Sequence, residues 1–513
     1  MPVLHRPAPL RALAFTAALL AAPFARADAL GAERVWQYAH QAANPGQKAE
    51  IVAYDKRTDT LWVAGVLGID VLDRASGSPL AHIALAHLGA VNSVAIHRGL
   101  AAVAIENTLD RTLPGVVVFY DTRSRRQLGA PVPVGALPDM LAFTPDGRRL
   151  LVANEATPNP RPAPAGQGTD DPTGSVSIVD VHSRRVTTLA IEPSLPGYDR
   201  LRLFPAAGTL PTQPAAYSPY GPEPEYIAVD PNGQRAYVTL QEANGIAVLD
   251  LRRQRFEKIL PLGLKDFSRP GNEIDPNDQD GEIRLRSVSA FGLYQPDAIA
   301  AYTHRGRSYL LMANEGDARD NGSGDGEDER RGAAGNAAIE YVPDGSELGR
   351  LTFSNVDSAR GGPLVAFGAR SFSIRTTDGE LVFDSGSALD REAIRLGLYD
   401  DGRSDNKGVE PEGVALLRVG GRTLAFVGLE RTLKSVVVVW DVTDPRDVRP
   451  LGTIVGEGDV SPEGLTAFRA GRHVYVAVAN EVSDTTSLFR LALHCDDEDD
   501  DADDDADEGD RTE

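Results

Sequence analysis

Short runs of alternating apolar and polar residues cover most of this chain, and Gly, Pro, Asn and Asp punctuate them where helix caps would otherwise stand. Such a pattern predicts short strands joined by tight turns. The stretch from Pro222 to Leu251 shows the unit whole. Tyr226 to Asp230 alternates as a strand, Pro231-Asn232-Gly233 supplies a fixed φ and a residue tolerant of positive φ, Ala236 to Gln241 returns, and Gly245 to Asp250 makes a third strand. Glu225 opens the first strand after Pro224, and Glu242 closes the second after Gln241, so both acids fall at one end of the hairpin.

The pairing recurs. Pro138-Asp139 leads to Asn154-Glu155, Pro296-Asp297 to Asn314-Glu315, Pro411-Glu412 to Leu429-Glu430 and Pro462-Glu463 to Asn480-Glu481, with an acid-to-acid interval of 16 to 18 residues in all five copies. Two weaker copies precede them: Asn92 leads to Glu106, and Glu50 to the region of Leu67, where no acid stands. Seven antiparallel units of this length predict an all-β fold, a closed seven-bladed β-propeller. Ile51 to Tyr54, Thr60 to Ala64, Gly68 to Asp73 and Leu80 to Ala84 fit the first blade; Val94 to His97, Ala101 to Ile105, Val116 to Asp121 and a strand near Val132 fit the second. The last repeat, Glu463 to Leu493, has three evident strands, and Arg34 to Ala39 stands alone before the first repeat. Val35 to Tyr38 is therefore expected as the outer strand of the last blade, closing the ring and removing exposed edges. Third strands end on Asp73, Asp121, Asp180, Asp250 and Asp441, where an Asx side chain ordinarily accepts hydrogen bonds from the following turn.

Composition adds an address. His5, Arg6 and Arg11 precede an apolar run, Ala12 to Ala22, too short to span a bilayer, and Ala25-Arg26-Ala27 is a cleavage signal. Residues 1–27 thus read as a signal peptide, residues 28–494 as the propeller, and the protein as exported, to the periplasm or beyond. The single cysteine, Cys495, excludes an internal disulfide framework. Of the formal charge of −22, the stretch from Asp496 to Glu513 carries −12 through 13 acids and one Arg, leaving −10 for everything before it. Such a block cannot bury apolar surface, so residues 495–513 are expected to be a disordered acidic tail. An acidic surface excludes nucleic acid as a partner and favours divalent cations or basic partners. No second apolar span exists, and a monomer is expected.

In a propeller the innermost strand of each blade starts at one face and the second strand returns to it, so the paired acids are expected to converge on one mouth of the central channel. Two carboxylates about 5 Å apart repel by roughly 3 kcal/mol at an effective dielectric near 20. Three things could compensate: backbone N–H groups or arginines that latch the blades, raised pKa values that make an acid-base site, or a hard cation. Oxygen donors without His or thiolate suit Ca²⁺ or Mg²⁺, and Ca²⁺ is the expected ion. The candidate ligands are Glu225, Glu242, Asp297, Glu315, Asp317, Glu412, Glu430, Glu463 and Glu481. Long insertions at 263–295 and 316–369 are expected as binding loops over the mouth. The first offers a second cation position at Asp275, Asn277, Asp278 and Asp280, although its spacing departs from the EF-hand pattern and Arg286 stands where Glu would be. Arg319, Lys407 and Arg431 are candidates for holding an anionic group beside a metal. The chain has no H-E-x-x-H, G-x-S-x-G or Walker sequence; His82 and His87 read as surface residues, and Asp384-Ser385-Gly386-Ser387 as a turn.

The motifs EPEYIAVDPNG from Glu223, IDPNDQDG from Ile274, ANEGDARD from Ala313, GARSFSI from Gly368, ELVFDSGS from Glu380 and SDNKGVEPEG from Ser404, with Ser461 to Leu465 and Ala479 to Thr485, follow in order along most of the chain. In these it resembles the choice-of-anchor I family of exported bacterial β-propellers, related to mesenchyme-specific cell surface glycoproteins and including members named alkaline phosphatases. The resemblance implies a propeller of the YVTN/WD40 type and an envelope or extracellular partner. It also admits a phosphoesterase acting on a small phosphorylated ligand through a metal-bound water, with Arg319 or Lys407 orienting phosphate, although no nucleophile matches. A scaffold without a site is the remaining alternative.

Overall fold

The computed structural model describes residues 30–157, 172–202, 222–318, 329–331, 347–354, 357–358 and 364–493. The expected signal peptide, the acidic tail with Cys495, and Arg319 lie outside them. Eight β-sheets account for the described strands, and seven of these run four strands in antiparallel succession. The first strands of the seven meanders are Val52–Asp55, Val91–His97, Pro138–Phe143, Pro224–Val229, Ile299–His304, Pro411–Val419 and Pro462–Ala470. The second meander carries an extra short strand, Arg126–Gln127. The seventh takes three strands from residues 462–492 and its outermost from the N-terminus, where Gly31–Ala39 pairs antiparallel with Thr485–Ala492.

The middle strands are apolar on both faces because both faces are covered. Thr60–Gly65 is buried throughout, as are Val436 to Trp440. Apolar layers fill the spaces between successive meanders in chain order. Trp62 and Val71 of the first meet Val94 and Val103 of the second, and Phe372 of the fifth meets Val427 and Trp440 of the sixth. The last layer joins the seventh to the first, with Leu61 and Val63 against Phe468, Tyr475 and Leu488. Burying side chains of this size contributes about 1.5–3 kcal/mol each.

Turn chemistry follows the sequence closely. Gly233 takes φ 68° and its N–H donates to Asp230 O at 2.7 Å, closing the hairpin read from Pro-Asn-Gly. Asp73, Asp121, Asp180, Asp250 and Asp441 each accept a backbone N–H from the following turn. These bonds favour the anion, and they hold Asp121, Asp180 and Asp250 below the usual carboxylate range.

Two features depart from expectation. The segments expected as loops at 263–295 and 316–369 carry five short strands, Leu264–Asp266, Phe291–Leu293, Glu329–Arg331, Thr352–Ser354 and Val365–Ala366, which form one additional sheet. Its middle pairing is parallel and joins the two insertions, and Phe267, Ile274, Leu351 and Phe353 give it a core of its own. A nine-residue helix, Ala388–Leu396, follows the Asp384-Ser385-Gly386-Ser387 turn, with Gly397 closing it at φ 68°.

The N-terminal segment is also held by a buried polar chain. His40 Nδ1 meets Asp70 Oδ2 at 2.6 Å and His40 Nε2 meets Thr486 Oγ1 at 2.8 Å, all three residues being buried. His82, read as a surface residue, reaches the other Asp70 oxygen at 2.7 Å. Gln37, Thr485 and Ser487 converge likewise on buried Asp459.

Candidate functional site

One local device repeats beneath the acids. In the third, fourth, sixth and seventh meanders the first strand pairs with the second at its proline: Pro138 with Asn154, Pro224 with Leu240, Pro411 with Leu429 and Pro462 with Asn480. The register then slips by one residue before Leu141, Ile227, Val414 and Leu465, so a β-bulge falls at Asp139, Glu225, Glu412 and Glu463. A bulge re-aims the side chain it carries. Asp297 and Glu50 stand on equivalent irregularities. Asp297 N donates to Ala313 O while Ala313 N donates to Ala298 O, and Glu50, Ala64 and Ile51 repeat the arrangement. In the second meander the slip falls at Asn92.

The residue before the proline completes the device. Leu137, Gln295, Glu410 and Ser461 adopt φ of 44°, 42°, 46° and 64°, which non-glycine residues seldom hold without compensation. The compensation is a backbone bond: their carbonyls accept the N–H groups of Glu155, Gly316, Glu430 and Glu481 respectively. Each bond thereby ties the second acid, or its neighbour, to the base of the first.

The carboxylates meet across the meanders. Burial raises Glu225 well above its usual range, and repulsion from Glu155, Glu242, Asp139 and Asp297 adds to it. Burial and then Asp139, Glu481 and Glu106 raise Glu50 to about 8. Glu155 and Glu315 also rise to about 8, chiefly through burial. Asp297, Glu412 and Glu463 are raised well above their range by burial and by acids from neighbouring meanders. The Tyr226 hydroxyl lies among them, raised by burial and by Asp297, Glu463, Asp139 and Glu412.

Two groups of three come within ligand distance. Glu315, Glu412 and Glu430 offer carboxylate oxygens all within 4.8 Å of one another, and so do Glu430, Glu463 and Glu481. Glu430 belongs to both, with Ser461 Oγ donating to its Oε1 at 3.2 Å and Arg431 Nη2 2.8 Å from the same oxygen. Burial raises Glu430, and its neighbours Glu412 and Arg431 pull against that rise. Buried Lys407 stands on the other flank, 3.3 Å from Glu315, 3.2 Å from Asp317 and 3.2 Å from Glu410. Gln241 Nε2 donates to the second oxygen of Glu315 at 2.7 Å.

Glu315, Glu412, Glu430, Glu463 and Glu481 are thus brought together, and Asp317 is drawn to Lys407. Glu225, Glu242 and Asp297 lie in the same field of carboxylates but outside the two triads. The Asp275 loop turns its acids elsewhere. Asp275 is buried and accepts from Arg284 N and Arg286, Asp280 pairs with Arg286 at 2.6 Å, and Asp278 pairs with Arg350 at 2.8 Å. Asn277 Oδ1 accepts from Gln279 N. Their oxygens are engaged by arginines and by the loop's own backbone.

Sequence reasoning passed over Glu410, which is buried against Arg403, Lys407 and Arg431. Its position directly before Pro411 was the available signal, since the carbonyl it supplies at positive φ is part of the repeated device. Nothing in the sequence around Tyr226 or His40 distinguishes them from other aromatic and polar residues of strands and turns.

Fold and site define an all-β repeat protein of four-stranded meanders whose strand ends gather buried carboxylates. By sequence, the chain belongs to the choice-of-anchor I domain family, matched over residues 50–445. A mesenchyme-specific cell surface glycoprotein of Strongylocentrotus purpuratus is 27% identical over 325 residues, 53% of this chain and 40% of that protein, so the match spans less than half of the relative. Among solved structures, Kuenenia stuttgartiensis hydrazine synthase aligns with a TM-score of 0.47 and 11% identity over 88% of this chain and 96% of that one. The β-propeller domain of Cps50 (Swd1) from Myceliophteria thermophila aligns at 0.45, with 8% identity over 90% and 99% of the two chains. Among the described residues no helix is long and apolar enough to cross a membrane.

Proposed function

We propose that the seven meanders are the blades of a closed propeller, exported from the cell, whose acidic mouth binds calcium and presents the ion-capped surface to an envelope or extracellular partner. The cyclic succession of apolar layers and the pairing of Gly31–Ala39 with Thr485–Ala492 support the ring. The observation that carries the cation reading is the pair of carboxylate triads sharing Glu430. All their donors are hard oxygens, the set that suits Ca²⁺ over zinc. Glu315, Glu412 and Glu430 would hold one ion, and Glu463 and Glu481 with Glu430 mark a second position.

Isothermal titration of chelator-treated protein with calcium tests this reading. Wild type is expected to bind, and Glu430→Gln to bind at least about tenfold more weakly because it removes a charged donor from both triads. Glu481→Gln is expected to lose only binding at the second position. Absence of binding, or equal binding by Glu430→Gln, would overturn it.

Arg431, 41% exposed beside Glu430, gives a second reading a specific basis: a cation next to a metal position can hold phosphate. A calcium-dependent phosphoesterase would hydrolyse a phosphomonoester and lose turnover on chelation, in Glu315→Gln and in Glu412→Gln. Calcium binding without turnover leaves the binding module.

A further inference from the structure

The strands of the seventh meander end on different faces. The acidic cluster uses the end at Pro462, Asn480 and Thr485, while the same strands finish at Ala470, His473 and Ala492, seven or eight residues away, about 25 Å along a strand. At that far end a groove of about 610 Å³ opens beside the start of the N-terminal strand. Its charged lining is Arg469, Arg472, His473 and Arg490 against a single acid, Glu33. Arg490 takes Glu33 at 2.6 Å, Arg469 also has a partner of its own, and Arg472, exposed, has no ion pair among the described residues. A basic groove is out of character on this chain, which carries −10 before residue 496.

The position of Leu493 identifies the occupant. It is the last described residue and lines the groove, and from it the chain continues within three residues into the segment with 13 acids and one Arg. We propose that this segment, residues 496–513, docks in the groove of its own chain, its carboxylates facing Arg469 and Arg472 across the seam where Gly31–Glu33 pairs with Arg490–Ala492. Tethering supplies an effective concentration of ~mM, so weak exposed ion pairs suffice collectively. Extended, such a segment spans up to roughly 60 Å, ample for the groove. Docking on the face away from the acidic cluster also keeps like charges apart. Because the contact is between exposed charges, salt weakens it steeply.

A spin label on the full chain tests this. The only native cysteine is removed by Cys495→Ser and the label is placed by Gly509→Cys, far from the tether and without changing the charge. An immobilised spectrum is expected in dilute salt without added divalent cation, becoming mobile in about 0.5 M NaCl, where screening is short-ranged. Arg469→Ala with Arg472→Ala is expected to free the label in dilute salt while leaving the melting temperature within a few degrees of wild type. A label already mobile in dilute salt, or one still immobilised in the double arginine variant, would overturn the proposal. So would immobilisation that disappears on dilution, which would place the segment in the groove of a second copy.

Discussion

Lys407 shows how single residues set the character of the acidic cluster. Its ammonium group is buried and touches Glu315, Asp317 and Glu410, so that it neutralises carboxylates which burial alone would force to take up protons. Lys407→Met is expected to lower unfolding free energy by about 3 kcal/mol at pH 8, since removing one partner strands buried charge. Added calcium should recover part of the loss, which chemical denaturation with and without the ion would measure. The His40, Asp70 and Thr486 chain makes a second prediction at this scale. Asp70→Asn leaves buried His40 without its charged partner, and a cost of about 2–4 kcal/mol is expected. Thr486→Val, which removes a neutral bond, should cost about 1 kcal/mol.

At the scale of elements, strand irregularities do what regular strands cannot. A regular strand would send successive side chains to opposite faces of each sheet; the bulge at Asp139, Glu225, Glu412 and Glu463 inserts a residue and turns the acid out of that alternation. Close backbone crossings hold the second acids. Gly368, at φ 72°, lies so near Glu315 that an added Cβ would stand 2.2 Å from the Glu315 carbonyl oxygen. Gly368→Ala is therefore expected to displace Glu315, weakening calcium binding by an order of magnitude or more and costing about 2 kcal/mol or more of stability. Unchanged titration of the variant would show that Glu315 is not a ligand.

For the whole molecule, the consequence is a linkage between protons and stability, into which the proposed calcium binding would enter. Glu50 and Glu155 at about 8 and Asp139 at about 6 hold protons more firmly when folded than in the unfolded chain, because burial and neighbouring acids penalise the anion. Folding therefore takes up protons between the unfolded value near 4 and these raised values. The stability they confer is complete at the acidic end of that window and is lost as pH rises through it. Metal-free protein is expected to melt several degrees lower at about pH 8.5 than at about pH 6. Calcium, replacing the protons, should raise the melting temperature more at the higher pH, and scanning calorimetry at both values would measure it. The N-terminal strand belongs to this scale as well. Deleting residues 30–39 uncovers the edge of Thr485–Ala492 and should produce concentration-dependent oligomers in light scattering.

Strand alternation, turn residues and the recurring Pro-acid spacing are local properties, and a single chain displays them. They were enough to read the strands of Pro222 to Leu251, the Asp-capped third strands, and the complement between an isolated N-terminal strand and a last repeat one strand short. What joins residues distant in sequence was decided only in three dimensions. The parallel pairing of Phe291–Leu293 with Val365–Ala366 turns two expected loops into a sheet, and His40 meets both Asp70 and, 446 residues away, Thr486. The same holds for the acids. Spacing gathered them at common strand ends, but a carboxylate's role depends on ångström-scale neighbours. Glu410 and Glu412, two residues apart, therefore divide between the cations and the triad.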